Sequence, residues 1–153
     1  MSDEIQAFVQ AKVPEGWFIG PPRVEADEEE ILVVGVLPTE QAVDRFRESS
    51  REARMSVALE VESRFGRPVS WGVELDGATT LFTTQASPVM TRLRLRERAV
   101  LTTLIDAGIA RSRSEALAWC VKLVERHQAD WLAELREALV GVEQARVGGP
   151  SLI

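Results

Sequence analysis

The chain has one cysteine, one histidine and two lysines in 153 residues, and no long apolar run. Each scarcity closes off a class of explanation. Cys120 stands alone and cannot close an internal disulfide, which fits a reducing compartment. His127 has no identifiable partner for an acid–base dyad. A bilayer span needs roughly 20 consecutive apolar residues, and nothing here approaches that. The start, Met1-Ser2-Asp3-Glu4, is acidic and lacks an apolar signal core, so a cytoplasmic protein is expected, without a membrane partner. There is no phosphate loop, nucleophile elbow or zinc-ligand spacing, and the reading is of a non-enzyme without cofactor or metal.

What is present is ordinary in bulk and uneven in distribution. Apolar content of 45% and charged content of 27% suit a globular protein of one or two domains. The net charge is −6, which argues against nucleic acid when read over the whole chain. Residues 1–88 carry 8 basic and 16 acidic side chains, a net of −8, whereas residues 89–153 carry 10 and 8, a net of +2. Within 89–113 six arginines face only Glu97 and Asp106, and it is the local field that phosphate would feel.

Residues 3–13 place Ile5, Phe8, Val9 and Val13 at helical spacing, with Ser2 or Asp3 as N-cap and Pro14 and Gly16 as terminators. Trp17-Phe18-Ile19 and Ile31 to Leu37 read as strands around the acidic segment Glu25 to Glu30, which reads as a solvated turn. Thr39 is expected to cap one helix of about 26 residues, roughly 40 Å long, with Val43, Phe46, Ser50, Ala53, Val57, Val61 and Phe65 as its stripe and Gly66 as its stop. Ser50 and Ala53 leave its middle slim enough for a close backbone approach. Val69 to Leu75 and Thr79 to Thr84 form a hairpin about Asp76-Gly77. The expected fold class is α+β. Residues 1–86 form an α-ββαββ domain with a small antiparallel sheet and Trp17 and Trp71 in its core. Residues 87–147 form a second module with a helical extension, and 148–153 a tail.

In that second module, Val89, Leu93 and Leu95 alternate with Met90, Arg92, Arg94 and Arg96, with Thr91 the polar member of the apolar face. Period-two alternation predicts a strand with one arginine face. A helix from about Glu97 carries Val100, Leu101, Leu104 and Ile105 and stops at Gly108. Ser112 and Glu115 have capping-box spacing before a second helix with Leu117, Cys120, Val121 and Val124 on one stripe. A single strand with two short helices cannot bury its apolar faces alone; two copies with antiparallel strands can, as a C2 homodimer. Asp130 to Leu139 continues helical, either prolonging the second helix or forming a third, to cover the first domain or extend the dimer interface.

Strand, helix, Ser112-Arg113-Ser114-Glu115 turn, helix resembles the ribbon-helix-helix family of dimeric DNA-binding proteins over residues 89–127. The resemblance implies an intertwined dimer whose ribbon enters the major groove of double-stranded DNA, with Arg92, Arg94, Arg96 and Met90 turned to the bases. It also implies that Ser112, Arg113 and Ser114 anchor a phosphate through the start of the second helix, where free amides favour an anion in any case. The Leu-Pro-Glu-Glu start usual for the family's first helix is replaced by Leu95-Arg96-Glu97-Arg98. The N-terminal half resembles uncharacterised actinobacterial proteins of the same layout, which assigns no function.

The expectation is a sequence-specific transcriptional regulator; association of two dimers stays open. The alternatives are a module that only dimerises, leaving the N-terminal domain to bind a protein partner, and, more weakly, an antitoxin. Arginines on alternate positions also serve to block edge-to-edge aggregation.

Overall fold

A computed structural model describes residues 2–38 and 42–150 and divides the chain into two compact units, residues 1–89 and 90–153. Thr39 and the tail residues 151–153 lie outside the described residues. No described helix is long and apolar enough to cross a membrane.

Unit 1 is α1 (Ser2–Lys12), β1 (Arg23–Ala26), β2 (Ile31–Val36), α2 (Val43–Ser49), α3 (Arg51–Phe65), β3 (Val69–Leu75) and β4 (Ala78–Leu81). The mixed α+β class holds, but the sheet is not antiparallel throughout. Its order is β1-β2-β3-β4, and the central pair β2–β3 is parallel, Val33 opposite Trp71 and Gly35 opposite Val73. The reason is the helical connection: a strand followed by a helix that runs back along the sheet delivers the next strand in the same direction. The outer pairs are antiparallel. Asp76 and Gly77 both take positive φ, 52° and 78°, in the two-residue hairpin before β4.

Alternation turns Ile31 and Val33 of β2 and Trp71 and Val73 of β3 to one face, where they meet Ile5 and Val9 of α1, Phe46 of α2, and Val57 and Val61 of α3. α1 starts at Ser2, so both expected caps fall inside the helix. Trp17-Phe18-Ile19 is a bend rather than a strand, although the Ile19 amide donates to the Val36 carbonyl at 2.8 Å. Trp17 stands edge-on to Phe46 at 5.4 Å and to Trp71 at 6.3 Å. The bend lets these rings enter the core, whereas a strand would have sent them to alternate faces.

The expected long helix is interrupted at Ser50. The Ser50 hydroxyl donates to the Phe46 carbonyl at 2.5 Å and accepts from Arg54 Nε at 3.0 Å. Such bonding to the carbonyl four residues back bends helices. The side chain of Arg54, 7% exposed, lies against Ser50 in the slim middle. The acidic segment is a turn held by its own backbone: Asp27 Oδ1 accepts from the amides of Glu29 and Glu30 at 2.8 and 2.9 Å. Those amides hold the Asp27 carboxyl below the usual carboxylate range.

Phe18 lies directly over Gly35, where an added Cβ would overlap its ring. Gly35→Ala is expected to cost about 1–3 kcal/mol as the ring is pushed out of the core, measured by urea unfolding followed through tryptophan fluorescence.

Candidate nucleic-acid interface

Unit 2 contains α4 (Leu95–Asp106), α5 (Arg113–His127) and α6 (Ala129–Val147). Residues 83–94 before α4 have no regular secondary structure and no strand partner. The strand expected over 89–96 is therefore not formed within one chain. A strand is defined by hydrogen bonds to another strand, and among the described residues none pairs with this segment. Its C-terminal end is also displaced. α4 begins at Leu95, because the Glu97 carboxylate accepts from the Arg94 amide at 2.7 Å and fixes Arg94 as the last extended residue, φ −84° and ψ 173°. Arg96, expected on the arginine face of the strand, lies in the first turn of α4.

Arg92 and Arg94 are exposed, and Met90 is 94% exposed. Arg98, which the alternation leaves out, donates from Nη1 to the Leu93 carbonyl, a second tie between the segment and α4. Gly108, at φ 75°, closes α4, and the amides of Ile109 and Ala110 both return to the Leu104 carbonyl at 2.9 and 3.2 Å. The turn brings α5 against α4 around Leu101, Leu104, Ala110 and Ala116, with Leu93, Ile105, Leu117 and Cys120 partly buried beside them. Ala110 and Ala116 escaped the periodicity argument, which weighs large side chains; their small size is what lets the two helices approach.

Ser112 is the N-cap of α5, φ −149° and ψ 165°, and its Oγ accepts from the Glu115 amide at 3.1 Å. Glu115 does not return the bond to Ser112. Its carboxylate accepts instead from the Arg111 amide at 2.8 Å and from Arg111 Nε at 3.3 Å. Those two bonds, the amide first, hold its carboxyl below the usual range. Ser112, Arg113 and Ser114 are exposed, and the first amides of a helix have no acceptor within it. The turn thus offers amides to an anion, with one carboxylate nearby that is already engaged.

Among the described residues, four buried side chains form the core of unit 2. Outside it, Val100 and Val121 are more than half exposed, and so are Trp131, Leu139, Val140 and Val142 of α6. Gln128 interrupts the helical run at φ −123° and ψ 26°, so α6 is a third helix rather than a prolongation of α5, and it buries no residue.

The chain was compared with known proteins. Residues 3–81 match the family described as Rv1265-like protein, N-terminal domain, and residues 94–146 match the Mb1296 C-terminal domain. The uncharacterized proteins Mb1296 of Mycobacterium bovis and MT1303 and Rv1265 of Mycobacterium tuberculosis are each 51% identical over 153 residues, covering 92% of this chain and 68% of theirs. No solved structure matches. These descriptions name neither an activity nor a ribbon-helix-helix fold.

The cap carries two expected outcomes. Ser112→Ala should lower stability by about 1 kcal/mol, read by urea unfolding. The Glu115 carboxyl is depressed in the folded chain, so its stabilising effect is complete above the unfolded glutamate value. That effect is lost as pH falls through the depressed folded value. The stabilities of the natural chain and Glu115→Gln should therefore differ at neutral pH and converge in acid, measured by unfolding at a series of pH values.

Proposed function

The chain belongs to the Rv1265-like protein family, and we propose that it is a homodimeric, sequence-specific DNA-binding protein acting as a transcriptional regulator. The observation that carries this reading is the order of features in unit 2. An exposed segment with Arg92 and Arg94 and no strand partner runs into two helices that share a small core around a glycine turn and leave apolar surface outside it. A second copy would supply what both parts lack. Antiparallel pairing of the two segments would satisfy their backbone groups, and interlocked helices would cover the apolar faces.

In such a ribbon Arg92 and Arg94 share one face, with Met90 at its margin. The planar guanidinium fork matches guanine O6 and N7 in the major groove. Arg96, being helical, drops out of the reading head. Ser112, Arg113 and Ser114 at the start of α5 suit a phosphate. A second reading is favoured by the charge of the N-terminal half, −8 over residues 1–88, which would repel DNA held beside it. On that reading unit 2 serves only to dimerise, and unit 1 binds a protein.

Selection from a random duplex DNA pool at two salt concentrations separates the two. A regulator enriches a palindromic or repeated motif, and its affinity falls steeply with salt as phosphate contacts are lost. Arg94→Ala should cost about 1–3 kcal/mol on the selected site and relax its specificity. A sedimenting dimer with no enrichment and no salt-sensitive binding would leave the second reading standing.

A further inference from the structure

The basic side chains of unit 1 are outnumbered two to one by carboxylates, and several find them: Lys12 pairs with Glu60, Arg23 with Glu25 and Arg64 with Glu4. Arg47, Arg51 and Arg54 do not. Among the described residues none of the three meets a carboxylate within ion-pair distance. All three line one cleft of about 580 Å³, together with Asp44, Glu48, Met55, Phe82 and Thr83. The charges on that lining leave one positive charge in excess, inside an acidic unit.

The guanidiniums of Arg47 and Arg54 are held in place. Arg54 is 7% exposed and fixed by Nε on Ser50 Oγ and by Nη2 on the Arg47 carbonyl at 2.8 Å. Its guanidinium lies 4.8 Å from the centre of the Phe82 ring, and that of Arg47 lies 5.4 Å from the same centre. Burial first, then the charges of Arg47 and Arg51, pull Arg54 below the usual arginine value. A desolvated cation whose nearest charges are like its own is a site short of an anion. Stacking on one ring offsets only part of that cost.

The donors decide which anion. They are side-chain forks; the backbone amides at the bend are consumed by the helical ladder, Ser50 to the Phe46 carbonyl and Arg54 to the Ser50 carbonyl. Among the described residues the Ser50 and Arg54 amides are therefore not free to wrap a phosphate. A planar fork takes a carboxylate or a phosphate, and the single excess positive charge of this lining, with Asp44 and Glu48 on it, suits the singly charged carboxylate better than a doubly charged phosphate. Met55, 58% exposed, adds an apolar wall, and the volume is that of a small-molecule site. We propose that the cleft binds a small organic carboxylate, its acid head against Arg47, Arg51 and Arg54 and its apolar body along Met55. This site is independent of DNA reading by unit 2.

The test is a titration of the full chain with sodium hexanoate at constant ionic strength, followed by amide ¹H–¹⁵N spectra, with sodium chloride and hexyl phosphate as comparators. Saturable shifts confined to α2, α3 and Thr83 are expected. Arg51 is exposed, so Arg51→Gln should fold, as its own spectrum will verify, and should weaken binding about tenfold by losing one charge-assisted contact. Arg45→Gln makes the same charge change outside the cleft lining and should leave binding unaltered. The proposal is overturned by any of four results: no saturation, equal shifts with chloride, tighter binding of hexyl phosphate, or equal weakening in Arg45→Gln.

Discussion

On the proposed dimeric reading, unit 2 depends on burial that a second copy supplies. Two leucines and two alanines form its buried centre, and a core of that size rarely holds so small a unit folded by itself. Everything else about the unit is consistent with a missing surface. The segment ahead of α4 has backbone groups and no ladder, α5 shows Val121 to solvent, and α6 buries nothing. The arginines on that segment acquire a common direction only if it becomes a strand. Association and recognition would then be one event: the contact that completes the core also aligns the arginines.

Unit 1 is built on a different constraint, the parallel pairing of β2 and β3 across the α2–α3 connection. That pairing places Trp71 and Val73 under the helices and brings Phe82, just beyond β4, beside the bend at Ser50. The bend is small, but it decides where charge collects. Arg54 turns inward to Ser50 and Phe82, and Arg47 stacks on the same ring. Charge is thus partitioned twice, between the two halves of the chain and again inside the acidic half.

Much of this was legible in the residue order. The stripes of α1 and of α2–α3, the Asp76-Gly77 hairpin, the Gly108 stop and the Ser112 cap follow from local rules that need no distant partner. Errors arose where a distant partner decides. The central strand pair was expected antiparallel because alternation sets which face a side chain takes and says nothing of strand direction. Trp17-Phe18-Ile19 has strand composition, yet these rings gain more from the core than from a ladder. The candidate site divides the same way: the cap and the glycine turn were readable, while the start of α4, and with it the place of Arg96, turned on one carboxylate accepting from the Arg94 amide.

The sequence by itself determined the helical stripes, the turns and the separation of an acidic half from a locally basic stretch, because periodicity, φ preference and charge are properties of neighbouring residues. Tertiary structure alone decided the direction of the β2–β3 pair and, among the described residues, the burial of Arg54 without a carboxylate and the absence of a ladder along residues 83–94. Each of these is settled by groups far apart in the chain meeting, or by no such group being there to meet.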